Sequence, residues 1–207
     1  MPVTVTDEYV EALRLFLTDD DAFEQLSSQL EERDGRDGGN VYAALVGMAF
    51  AVAARRRFGP SYRSGDVIRL VAHARTALQD SSGDIDPRTA ERMLRAVLCD
   101  NSTADGLGEQ ARALAIPALL AVMVDQLGLS DSDLDAFLAE ACSLADRVLA
   151  EGREDANGYR QTAALRLIGG RGQVLLHCHP PEWKVRSDRN CPAGCQIPVA
   201  DSYCKHS

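Results

Sequence analysis

Lysine is nearly missing from this 207-residue chain: only Lys184 and Lys205 occur, and everything before them uses arginine alone. Aromatic residues make up 5% of the sequence, with a single tryptophan, Trp183. Ala, Leu and Val must therefore do most of the packing, which favours helices over strands because strands draw on β-branched and aromatic side chains. No apolar stretch reaches the ~20 residues that span a bilayer. The longest, Val41 to Ala54, has 14 residues and is interrupted only by Gly47, which predicts a buried central helix. The Met1-Pro2-Val3 start has neither a basic nor an apolar leader region, so the sequence predicts a cytoplasmic address. Catalytic signatures are missing too. There is no H-E-x-x-H and no G-x-S-x-G, and Gly169-Gly170-Arg171-Gly172 lacks the Lys-Ser/Thr that completes a phosphate cradle.

Negative charge, by contrast, is plentiful. Of the formal net charge of −9, residues 1–152 carry 26 acidic and 14 basic side chains, a net −12, whereas residues 153–207 carry 5 acidic and 8 basic, a net +3. A body of charge −12 repels phosphate backbones, which argues against nucleic-acid binding and suits a basic partner. The apolar content of 45% is that of an ordinary globular domain.

Helical periodicity fills the first three quarters of the chain. Tyr9, Val10, Leu13, Phe16 and Leu17 predict a first helix from Asp7. Asp19-Asp20-Asp21 opens a second, with Phe23, Leu26 and Leu30 on one face, since carboxylates favour a helix start. Asp34 to Asn40 holds three glycines and reads as a loop, with Asn40 capping a third helix from Val41 to Phe58 that Gly59-Pro60 ends. A fourth begins near Asp66, with Val67, Leu70, Val71, Ala74 and Leu78 facing inward. Asp86-Pro87 starts a fifth, which buries Ala90, Met93, Leu94, Val97 and Leu98. A sixth follows Gly108, and Pro117 is expected to kink or split it. Ser130 and Asp133 have capping-box spacing at the head of a seventh, whose stripe runs from Leu134 to Leu149 and which Gly152 should close.

The expected fold is an all-α, irregular bundle of six to seven helices over residues 1–152. A linker follows over 153–176, with room for a short helix or strand, and then a Cys/His-rich tail over 177–207, poorly ordered unless metal or disulfides fix it. The tail holds His177, Cys178, His179, Cys191, Cys195, Cys204 and His206. Thiolates and imidazoles are the usual zinc ligands, so Cys178, His179, Cys191, Cys195 and Cys204 form the candidate metal set. Their spacing lacks paired C-x-x-C knuckles. Free thiols and disulfides are the competing readings.

Elsewhere the chemistry is sparse. Asp131, Asp133 and Asp135 mimic the start of a calcium loop, but Ala136 and Cys142 stand where it needs glycine and glutamate, so helix capping explains them better. Cys99 and Cys142 read as core residues. Tyr62, Arg63, Arg69 and Arg75 read as a basic face paired with nearby carboxylates. Tyr42, His73 and neighbouring carboxylates are the one place where an active groove is conceivable.

The run from Val41 to Leu45 and on through Arg55-Arg56-Arg57-Phe58-Gly59, then Ser64 to Ala72, then Asp86 to Arg92, resembles small helical proteins of high-GC Gram-positive bacteria. The resemblance covers residues 7–150. It implies a helical fold and a bacterial cytoplasmic setting, and it carries over no functional residue.

These observations together predict a non-enzymatic protein- or ligand-binding or regulatory module that uses neither nucleic acid nor a membrane. No cofactor is expected beyond zinc in the tail. The alternatives are a zinc-binding or redox-responsive regulator acting through the tail, and a precursor whose C-terminal Cys-containing peptide is modified. Oligomeric state has no sequence signature here.

Overall fold

The apolar stretch at residues 41–54 becomes the centre of the molecule because it is oily on every side. Val41 to Val46, Met48 to Phe50 and Val52 to Ala54 are all buried, and a helix with no polar face has to be surrounded. The computed structural model describes residues 4–59, 61–77, 85–99 and 107–154. Six helical elements make up its framework: α1 (Asp7–Thr18), α2 (Asp20–Phe58), α3 (Ser64–Ala77), α4 (Pro87–Cys99), α5 (Glu109–Leu127) and α6 (Asp131–Glu154). Gly35 interrupts α2 with φ 54° and ψ −134°. Residues 20–34 and 36–58 are therefore separate helical segments, α2N and α2C, and the described residues form seven helices and no strand.

The core is built around α2C and α5. On α5, Ala113, Ala115, Ile116 and Ala118 to Met123 are buried. Gln110–Leu127 has the length and apolar composition of a membrane span, but 56% of that window is buried inside the bundle. α6 packs along α2 through Phe137, Leu138, Ala141 and Ala145, each of the larger ones stabilising the fold by about 2–3 kcal/mol through removal from water. α3 and α4 pack on each other and on α5. α1 runs antiparallel to α6: the Val5 backbone N–H donates to Asp146 Oδ1 at 2.8 Å, and Arg14 pairs with Asp135.

The helix starts follow the expected chemistry. Asp19 Oδ1 accepts from the Ala22 N–H at 3.1 Å. Asp86 Oδ2 accepts from both the N–H and the hydroxyl of Thr89, at 2.8 and 2.6 Å. Ser130 Oγ accepts from the Asp133 N–H at 3.3 Å and donates to Asp133 Oδ2 at 2.6 Å. These contacts satisfy N–H groups that a helix start leaves without partners.

Four expectations need correction. The glycine-rich stretch 34–40 is not a loop: only Gly35 leaves helical geometry, and Asn40 lies inside a helix instead of capping one. Gly38 is glycine because of a close approach, since a Cβ there would overlap the Tyr9 hydroxyl and the Asp34 Cβ. Pro117 does not split α5, which runs unbroken through it as a buried helix held by its neighbours. Gly152 does not close α6, which continues to Glu154. Leu78 and the segment 155–207, which holds most of the linker and the whole tail, lie outside the described residues.

Candidate functional site

Polar side chains are drawn together where α2 breaks. The first turn of α1 carries Glu8 and Tyr9, and the last turn of α2N carries Arg33 and Asp34. Tyr9 is 4% exposed, its ring 6.4 Å from that of Tyr42. Its hydroxyl donates to Asp34 Oδ2 at 2.7 Å. Arg33 clamps the same carboxylate with two parallel bonds, Nε to Oδ1 at 2.8 Å and Nη2 to Oδ2 at 2.7 Å. Its remaining Nη1 pairs with Glu8 Oε2 at 2.7 Å. Phe23 stacks on Tyr42 at 6.4 Å and meets Phe16 edge-on at 5.4 Å, so an aromatic cluster underlies the polar one.

The electrostatics fix the protonation of the cluster. The Arg33 guanidinium, then the Tyr9 hydroxyl, hold the Asp34 carboxyl below the usual aspartate range. Burial, then the hydrogen bond to Asp34 and its negative charge, push the Tyr9 phenol well above its ordinary value of 10.0. Tyr9 therefore keeps its proton and Asp34 stays ionised at neutral pH. A phenol that hard to ionise is neither base nor nucleophile, and a carboxylate clamped by a bidentate arginine is a poor proton acceptor. The cluster braces α1 against the end of α2N. Its members escaped sequence reasoning because Tyr9 reads as part of an apolar stripe and Asp34 as part of a loop.

A second feature lies on α3 and α5, which pack against each other. Ile68 is 49% exposed and Leu114 39% exposed, the large apolar side chains left open among the described residues. Ile68 was legible as an aliphatic residue off the inward stripe of Val67, Leu70, Val71 and Ala74, all of which are buried.

The other sequence candidates separate in space. Tyr42 is 1% exposed and belongs to the core, whereas His73 is exposed on α3, so the two do not share an open groove. Arg69 pairs with Asp66, which also accepts from the Arg63 N–H at 2.9 Å, and the Tyr62 ring meets Phe58 edge-on at 6.0 Å. Asp135 is engaged by Arg14 and Asp133 by Ser130. Cys142 is half-buried, and burial, then the charges of Asp146 and Asp7, raise its thiol pKa, which keeps it protonated and slow to react. Cys99 ends α4, and its side chain lies outside the described residues. Cys178, His179, Cys191, Cys195 and Cys204 also lie outside them. Among the described residues no group of three or more His, Cys, Asp or Glu is arranged to hold a metal ion. Comparison with models of known protein families, with curated proteins and with solved structures returns no match.

Proposed function

We propose that the helical body is a non-enzymatic binding module of the cytoplasm that receives a protein partner through the exposed aliphatic side chains of α3 and α5. The observation that carries this reading is the pair of open aliphatic side chains, Ile68 and Leu114, on two adjoining helices of an otherwise well-buried bundle. Exposed aliphatics on neighbouring elements gain from being covered, and partner helices are commonly gripped through such positions. The partner chemistry that fits is an amphipathic segment with basic flanks, because the sequence of the body carries a net charge of −12. Further support comes from the polar side chains described above, which are engaged in caps, ion pairs and the bracing cluster.

The test is native mass spectrometry of the protein purified from its own host, beside an Ile68→Glu/Leu114→Glu variant. A stoichiometric partner carried by the wild type and lost from the folded variant is the expected result. A wild type recovered alone at 22.4 kDa, or a partner retained equally by the variant, would refute it.

A further inference from the structure

α1 and α2N form a helical hairpin closed at its open end by Tyr9, Arg33, Asp34 and Glu8, and joined to the body through one residue, Gly35. That residue sits at φ 54°, a conformation side-chain-bearing residues rarely adopt. The hairpin's apolar face, Leu13, Phe16, Phe23 and Leu30, is no more than 2% exposed. It lies against α2C through Tyr42 and against α6 through the Val5–Asp146 and Arg14–Asp135 contacts. We propose that this hairpin is an exchangeable arm, and that its alternative receptor is the body of a second copy of the chain.

Four observations carry the proposal. The occupant is fixed, because the arm's face already fits this body, and only another copy presents the same surface to an arm that has swung away. The hinge is a single glycine, and a change of backbone angles at that one residue is enough to release the arm. The open geometry is simple: with Gly35 helical, α2 becomes one continuous rod of 39 residues, about 58 Å long at 1.5 Å per residue. Finally, the bend requires both Gly35 and Gly38, and the rod requires neither. A Cβ at Gly38 overlaps Asp34 Cβ and the Tyr9 hydroxyl only because the chain folds back there. In a straight helix, residues four apart lie at ordinary side-chain spacing.

Gly35 and Gly38 then acquire a purpose. Gly35 alone is non-helical in the hairpin, so straightening it into the rod is disfavoured by about fivefold relative to alanine. That glycine, and the room Gly38 leaves for Tyr9 and Asp34, hold the arm on its own body.

The test is the double variant Gly35→Ala/Gly38→Ala, refolded from equal amounts of light and heavy-isotope chains and sized by light scattering. Carboxylate-directed dihydrazide cross-linking then links Asp7 or Glu11 on the arm to Asp135 or Asp146 on the body. Wild-type chains refolded when dilute should be monomers whose arm–body links join chains of one isotope. The variant should raise the dimer-to-monomer ratio by at least about fivefold, the helix-propensity gain at Gly35 alone, and about half of its arm–body links should join light to heavy chains, as random exchange requires. A folded monomeric variant, or a dimer whose arm–body links are all of one isotope, overturns the proposal. Should the variant fail to fold, wild-type chains refolded at high concentration decide: a minor dimer with mixed-isotope links supports exchange, and the absence of such links refutes it.

Discussion

Replacing Tyr9 with phenylalanine removes one hydroxyl and leaves the ring in place beside Tyr42. At pH 7 the loss is one hydrogen bond to an ionised carboxylate. Asp34 Oδ2 keeps its Arg33 Nη2 donor at 2.7 Å, so no acceptor is stranded, and Tyr9→Phe should cost about 1.5 kcal/mol. In alkali the sign reverses. Burial and the bond to Asp34 raise the folded phenol's pKa above 10.0. A group shifted upward on folding contributes its full stability below the unfolded pKa and loses it as pH climbs toward the folded one. Beyond pH ~10 the unfolded wild type releases the phenol proton while the native state retains it, so this residue alone removes about 1.4 kcal/mol per pH unit. The variant has no such term at that position, and contributions from the remaining ionisable groups cancel in the difference. The two stability curves should therefore converge and cross near about pH 11. Urea unfolding followed by far-UV circular dichroism, from about pH 7 to about pH 11.5, measures both arms. A gap that stays constant with pH, or a variant as stable as wild type at neutral pH, would show that Tyr9 is not bound as described.

Two further outcomes are expected. Phe137 is fully buried beneath the Arg56 guanidinium, whose carbon lies 5.4 Å from the ring centroid. Phe137→Ala should cost about 4 kcal/mol through the cavity it opens between α2 and α6, seen as a lower denaturation midpoint; a loss under about 1 kcal/mol would mean the two helices are not packed there. The zinc proposal for Cys178, His179, Cys191, Cys195 and Cys204 predicts about one zinc per chain by elemental analysis, lost on Cys191→Ser/Cys195→Ser. Protein purified under reducing conditions without metal would remove that proposal.

Helical periodicity was legible wherever one face of a segment alone is oily, as in Leu134 to Leu149, and helix starts were legible where a short polar side chain reaches its own backbone, as at Asp86 and Ser130. Both signals are local. What stayed hidden depends on contacts far along the chain. Gly38 is indistinguishable from a loop glycine until Tyr9, nearly thirty residues earlier, is seen to occupy the place of its side chain. Pro117 looks like a breaker until its helix is surrounded by apolar neighbours that compensate for the lost backbone bond. The Tyr9–Asp34 bond joins residues separated by 25 positions, and nothing in either neighbourhood announces it. Ile68 was the exception, visible as an aliphatic residue on the wrong side of an otherwise regular stripe.

The antiparallel seating of α1 on α6 has a temporal consequence for a chain made from one end. Val5 finds its acceptor 141 residues downstream, so during synthesis the first helix emerges long before the surface that seats it exists. Until α6 leaves the ribosome, α1 can rest only on α2, and the nascent protein carries an unfinished, oily flank. Translation pauses before residue 131 would lengthen that exposure. Pauses after α6 has left the ribosome would not, because by then it has closed the ring begun by α1.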